Sequence, residues 1–270
     1  MLKIKSYVKV NSLAEAYELN QKKTSCVLGG MIWLKMSSRS VGTAIDLSGL
    51  GLDTITENDD EFIIGCMTSL RSLELHEALN AYTQGAVRES LRHIVGVQFR
   101  NCATVGGSIY GRYGFSDVLT VFLGMDTWVE LYEKGKIPLT EFVNMKKDRD
   151  ILVNIIVKKQ PLRICYLSQR NSSTDFPVLT CTASLIGDEA RTVIGARPGR
   201  AMIVEDTKKI LNGFGELGKN KKKEAAQAFA RYAAKQVPTG KNMRASAEYR
   251  TRLVEVLTRR AWETAGGVNE

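Results

Sequence analysis

The sequence predicts an α+β protein, and three features carry that expectation. Short β-branched runs alternate with helix-period segments up to about residue 159. Beyond it, three strand-like runs follow one another closely, the simplest route to a small antiparallel sheet. Three helix-period segments then complete the chain, so strands and helices are segregated.

The elements are expected in the following order. Residues 1–10 alternate Lys with apolar positions. Ser12 and Glu15 form a capping box that opens a short helix to about Asn20, because hydroxyl and carboxylate each satisfy a free amide of the first turn. A strand over 25–28 runs into Gly29 and Gly30 and completes a βαβ-like opening; further strands are expected over 43–47 and 61–65. A helix over 68–82 has Thr68 as N-cap, with Leu70, Leu73, Leu75 and Leu79 on one face, and another is expected over 87–95. Residues 96–107 are too rich in glycine to continue it. Ser116 and Asp117 cap an apolar helix over 118–124, followed by strands over 127–132 and 151–157. The last part holds strands over 163–168, 178–186 and 192–195, then helices over 200–211, 221–237 and 245–264.

Composition narrows the function classes. The chain has 270 residues and a formal charge of +9, but residues 1–190 hold 21 basic and 21 acidic residues, against 17 and 8 in 191–270. The excess therefore belongs to the C-terminal part, which argues for a charged surface there, facing an acidic partner or solvent, and against a nucleic-acid-binding coat. The KNKKK run at 219–223 has no interleaved aromatics and reads as a solvated face. No apolar run approaches a membrane span, and the N-terminus lacks a signal-peptide pattern, so a cytoplasmic protein is expected. Cys26, Cys66, Cys102, Cys165 and Cys181 are scattered without a CxxC pair, which predicts free thiols and no zinc or iron–sulfur site on this chain. His76 and His93 read as structural, and no nucleophile, base and orienter cluster together.

Three glycine motifs invite a nucleotide. GFGELG at 213–218 fits GxGxxG, but it follows a helix-like segment where a strand is required, and no acid lies about 20 residues on, near Pro238. It reads as a loop between helices. Gly29 and Gly30 are better placed, since a strand running into two residues without Cβ exposes consecutive amides to an anion. Gly106 and Gly107, flanked by Thr104 and Ser108, form a second such turn. The two loops are expected to clasp the two phosphates of an extended dinucleotide from different subdomains.

The segments VLGGMIWL (27–34), IGCMT (64–68), RNCATVGG (100–107), SD (116–117) and RASAEYR (244–250) appear in matching order over nearly the whole chain. Together they resemble the FAD-binding medium subunit of the molybdenum hydroxylases, the xanthine dehydrogenase and carbon monoxide dehydrogenase type. The resemblance implies a vanillyl-alcohol-oxidase-like FAD-binding domain of two subdomains (1–54 and 55–159) and a C-terminal α+β domain (160–270) with a three-stranded antiparallel sheet. It implies FAD on this chain, with molybdopterin on a large partner subunit and 2Fe-2S clusters on a small one. Electrons would pass from those clusters through FAD to NAD or another acceptor, and a purine or another N-heterocycle is the default substrate. Such a role requires no acid–base dyad of the chain's own.

The resemblance assigns Leu28, Gly29, Gly30, Met31, Ile32 and Trp33 to the FAD pyrophosphate, and Ala103, Thr104, Gly106, Gly107 and Ser108 to further phosphate and ribityl contacts. Asp117, beside Ser116, matches the family acid that bonds to flavin hydroxyls, and Leu152 is assigned to the cofactor as well. Departures are Ser108 for the usual Asn, Gly114 for a Pro, and the stretch Tyr110, Gly111, Arg112, Tyr113 in place of small residues. Tyr110 or Tyr113 would stack on the isoalloxazine and Arg112 would face an anionic flavin or phosphate; the alternative is a variant surface loop. The family's basic residue is missing at Leu167 or Ser168, which bears on flavin electronics. A flavin-free assembly module of the same fold is the competing expectation.

Overall fold

The computed structural model describes residues 1–268. It contains two compact units, the first formed by 1–73, 97–111 and 127–158, the second by 74–96, 112–126 and the chain from 159 onward.

In the first unit, β1 (Lys3–Lys9), α1 (Leu13–Asn20), β2 (Cys26–Leu28) and β3 (Ser40–Asp46) give a parallel sheet in the order β1-β3-β2. The α1 cap forms as expected: the Glu15 amide donates to Ser12 Oγ at 3.1 Å, and the Glu15 carboxylate accepts from the Asn11 amide at 2.8 Å. β4 (Ile55–Glu57) and β5 (Glu61–Gly65) begin a second sheet, and β5 keeps the predicted limits.

The helix expected over 68–82 is two helices, α2 (Leu70–Leu75) and α3 (Glu77–Tyr82). His76 breaks it: its backbone is extended and its Nδ1 accepts the Leu79 amide, making it the N-cap of α3. Ser69 replaces Thr68 as the cap of α2, accepting from the Ser72 amide at 2.9 Å, while the Thr68 hydroxyl donates to Thr54 O. α4 (Ala86–Leu91) follows.

The glycine-rich stretch is helical after all, as α5 (Val97–Cys102) and α6 (Val105–Gly111). Gly106 serves close packing rather than a helix break, because a Cβ there would lie 2.5 Å from Cys66 O. After α7 (Asp117–Leu123) come β6 (Thr127–Leu131), β7 (Gly135–Pro138), α8 (Leu139–Phe142) and β8 (Leu152–Lys158). The antiparallel sheet β4-β5-β8-β6-β7 places the apolar run of β8 at its centre, where alternation is lost because both faces are covered.

The second unit is built on β9 (Leu162–Arg170), β10 (Pro177–Ile186), β11 (Glu189–Gly195) and β12 (Met202–Ile203). This antiparallel sheet has four strands in the order β12-β11-β10-β9, not the three expected. The helix expected over 200–211 is absent. Val193 and Ile194 pair instead with Ile203 and Met202, Asp206 Oδ2 accepts the Leu211 amide in a turn, and Lys209 has a left-handed φ of 55° that no α-helix accommodates. Two long helices, α9 (Lys219–Gln236) and α10 (Ala247–Ala265), complete the unit.

β10 is buried along its whole length, and its alternation separates two environments. Leu179, Cys181, Ala183 and Leu185 enter a core with Phe214, Phe229, Val254, Leu257 and Trp262. Thr180, Thr182 and Ser184 instead bond to the α7 segment through Thr120 and Gly124 O. Trp262 Nε1 donates to Thr192 Oγ1 at 2.8 Å, which satisfies the one polar group of a fully buried indole. No helix among the described residues is long and apolar enough to cross a membrane.

Candidate functional site

β2 ends at Leu28, which is buried, and the chain turns at Gly29 and Gly30 into a one-turn 3-10 segment, Leu34–Met36. Glycine is required here by contact. A Cβ on Gly30 would stand 1.9 Å from Cys102 O, and one on Gly29 would stand 2.8 Å from Thr104 Oγ1. Met31 follows with a φ of 58°, left-handed backbone that a side chain of its size rarely takes. Among the described residues, the amides of Gly29, Gly30, Met31 and Ile32 donate to no acceptor. Consecutive free N–H groups in a turn form an anion-binding concavity. Trp33 closes the turn, half-buried as are the four residues before it.

The two glycine loops therefore meet within the first unit. The second loop treats its amides differently. Val105 N donates to Thr68 O and Gly106 N to Cys66 O, both at 2.9 Å, and Gly107 N donates to Thr104 Oγ1 at 3.1 Å. Thr104 pairs with Ser69 in a short bridge, and the Ser108 hydroxyl donates to Thr104 O. What this loop offers an anion is the Thr104 hydroxyl proton and a glycine surface, beside the bare amides of the first loop. Ala103 lies half-buried between them. Glycines that a Cβ would drive into backbone, and a row of free amides, fit a pyrophosphate.

Tyr110 and Gly111 end α6 in the same unit. The Tyr110 hydroxyl donates to Asp148 O at 2.7 Å, and its ring packs on Phe142 with centroids 6.1 Å apart. Leu152 opens β8 opposite Leu131 and is buried.

Within the second unit, Ser116 caps α7 by accepting the Leu119 amide at 3.0 Å. Asp117 Oδ1 accepts from both the Tyr166 hydroxyl and the Arg170 guanidinium. Burial pushes the Asp117 carboxyl up to about 6, against the opposing pull of Arg170 and Tyr166. Burial likewise raises the Tyr166 hydroxyl well above its ordinary value, and the Asp117 charge adds to this. Sequence reasoning missed Tyr166 and Arg170 as partners of Asp117, since they lie 49 and 53 residues away and no local pattern marks them. Arg112 is buried with a φ of 50°, and Tyr113 stacks on Phe115 at 5.2 Å, which in turn meets Phe176 edge-on at 4.6 Å.

The GxGxxG segment is a turn with Gly213 at a φ of 64°, reached from another turn and leading into α9 with Gly218 as N-cap. It lacks the preceding strand a dinucleotide fingerprint needs. The five cysteines are free, and the described residues contain no cluster able to hold a metal.

Comparison with known proteins agrees with this geometry. Residues 2–159 match the family of the FAD binding domain in molybdopterin dehydrogenase, and residues 166–265 match the CO dehydrogenase flavoprotein C-terminal domain. The chain is 24% identical over 216 residues to the uncharacterised protein YgfM of Escherichia coli, covering 76% of this chain and 80% of that one. It is 24% identical over 279 residues to the nicotine 6-hydroxylase medium subunit of Paenarthrobacter nicotinovorans, covering 96% of each. Its fold is that of a chain of carbon monoxide dehydrogenase from Hydrogenophaga pseudoflava, with a TM-score of 0.86 at 21% identity over 97% of both chains. The chain belongs to the family of FAD-binding domains in molybdopterin dehydrogenases, and is an oxidoreductase subunit of molybdenum hydroxylase type whose cofactor is FAD.

Proposed function

We propose that this chain is the flavin-carrying medium subunit of a cytoplasmic molybdenum hydroxylase, set between the 2Fe-2S clusters of a small subunit and an acceptor, NAD being the first to test. A large subunit would carry molybdopterin and the substrate pocket. Support for the partner chains comes from the relative named as a medium subunit and from the family model, and free thiols accord with a reducing compartment. We also assign residues 1–159 to the vanillyl-alcohol oxidase type of flavin domain, which agrees with the two sheets of the first unit.

The observation that carries the flavin reading is the row of free amides from Gly29 to Ile32 beside glycines packed on Cys102 and Thr104. Those amides, with Trp33 closing the turn, bind the pyrophosphate by dipole and hydrogen bond, without bulk charge. Thr104 orients it through its hydroxyl, and the Ser108 hydroxyl, committed to Thr104 O, holds that residue in place. Leu28 and Leu152 bring apolar surface. Bound FAD supplies a carrier that accepts electrons singly and releases them singly or in pairs.

The test is direct. The chain isolated with its partner subunits is expected to show flavin absorbance, bleached when substrate is added without acceptor and restored by NAD or by the true acceptor in a screen. A preparation that carries no flavin and takes up none would sink the reading.

A further inference from the structure

The segment between α8 and β8 was invisible as a functional element in the sequence, yet it bonds to the chain that leads into the first glycine loop and to the end of the helix that carries the second. Arg149 donates through Nη1 to Asn20 O at 2.7 Å and Ser25 O at 3.5 Å, and through Nη2 to Lys23 O at 2.7 Å. Those carbonyls belong to the end of α1 and to the connection that enters β2, four residues before Gly29. The grip is reciprocal, because Asn20 Nδ2 and Gln21 Nε2 donate to Arg149 O at 2.8 and 3.2 Å.

Two residues earlier, Lys147 Nζ donates to Gly111 O at 2.8 Å, the last carbonyl of α6, whose first turn holds Gly106 and Gly107. Asp148 O, between them, accepts the Tyr110 hydroxyl. Two cations from one short segment thus bond to the last carbonyls of α1 and α6, where the helix dipole also favours positive charge. Asp148 is itself held by Lys134, and Asp150 accepts the amides of Glu133 and Lys134, so the segment is fixed to the β6–β7 turn.

We infer that the Lys147–Arg149 segment is a clasp that sets the spacing of the two FAD loops, with Arg149 and Lys147 as positioning residues for the cofactor they do not touch. The inference rests on the FAD reading. A phosphate held by fixed amides is lost when those amides drift, since preorganisation is what makes their affinity. An ammonium cannot span the carbonyls that the guanidinium fork bridges.

The experiment titrates FAD into the deflavinated full-length chain and reads flavin fluorescence. Arg149→Ala should weaken FAD binding roughly 10-fold, Arg149→Lys should recover little of it, and Lys147→Met should cost roughly 3-fold. Arg191 captures the carbonyls of Leu123 and Met125 in the second unit and is the matched control, so Arg191→Ala should leave FAD affinity unchanged. Lys147→Met carries the test if Arg149→Ala fails to fold. Wild-type affinity in both clasp variants, or an equal loss in Arg191→Ala, would overturn the clasp; a wild-type chain that takes up no FAD would instead overturn the flavin reading beneath it.

Discussion

The Thr104 hydroxyl oxygen lies 2.8 Å from the position a Cβ would occupy on Gly29 while it accepts the Gly107 amide at 3.1 Å. One side chain thus sets how closely the two loops approach. At Gly30 the neighbour is backbone, with Cys102 O 1.9 Å from the added carbon. Gly30→Ala must therefore displace a loop, costing about 1–3 kcal/mol of stability and most of the FAD affinity. Gly29→Ala meets only the end of a side chain and should be milder. Flavin content and thermal midpoint of the two variants check the order; a Gly30→Ala chain that binds FAD normally would contradict it.

Asp117 gives a pH signature. Its carboxyl is raised from 3.8 to about 6 by burial, so between those values the folded chain holds a proton that the unfolded chain has released. Stability from this group is full below about pH 4, falls as pH rises, and levels off above about 6. Asp46 and Asp175 are shifted downward, Asp175 chiefly by Arg244, and contribute the opposite slope, so the comparison with Asp117→Asn isolates the group. Denaturant titrations should show the wild type losing up to about 1.4 kcal/mol per pH unit against the variant across that window. Parallel curves would remove Asp117 from the account.

Much of the fold was legible where local chemistry decides it. The Ser12 and Ser116 caps, the β5 limits and the apolar β8 follow from hydroxyl spacing and β-branched runs. The misses are long-range. Gly106 looks like a helix breaker until Cys66 O is seen against it, and Lys209 looks helical until β12 pairs with β11 and a left-handed turn follows. The same divide runs through the candidate site. The glycine loops announce themselves, whereas the partners of Asp117 and the carbonyls under Arg149 are brought close only by folding.

The thiols separate by environment. Burial pushes Cys66 and Cys181 up to about 12 and Cys165 up to about 11, while Cys102 is exposed at the end of α5. Since the thiolate is the nucleophile, an alkylating reagent at about pH 8 should label Cys102 in the native chain and spare those three. Peptide mapping reads the result, and modification of Cys181 before unfolding would show that the second unit's core is open.

Arg250 is fully buried, and its acceptors are neutral: Val178 O at 2.9 Å, Gly240 O at 2.6 Å, Ala245 O at 2.9 Å and Asn242 Oδ1 at 2.6 Å. Its cation is thus compensated by four neutral oxygens, two of which, Ala245 O and Asn242 Oδ1, also accept the amides of Asn242 and Arg244. It joins β10 to the 240–245 loop and the start of α10, which makes it a structural residue of the second unit even though it lies in the RASAEYR motif. Arg250→Lys cannot reach four acceptors from one ammonium and should cost about 2–4 kcal/mol. The denaturation midpoint is expected to fall with the m-value unchanged, and FAD affinity extrapolated to the folded fraction should be unaltered. A loss of FAD affinity without a fall in stability would move Arg250 from the scaffold to the cofactor.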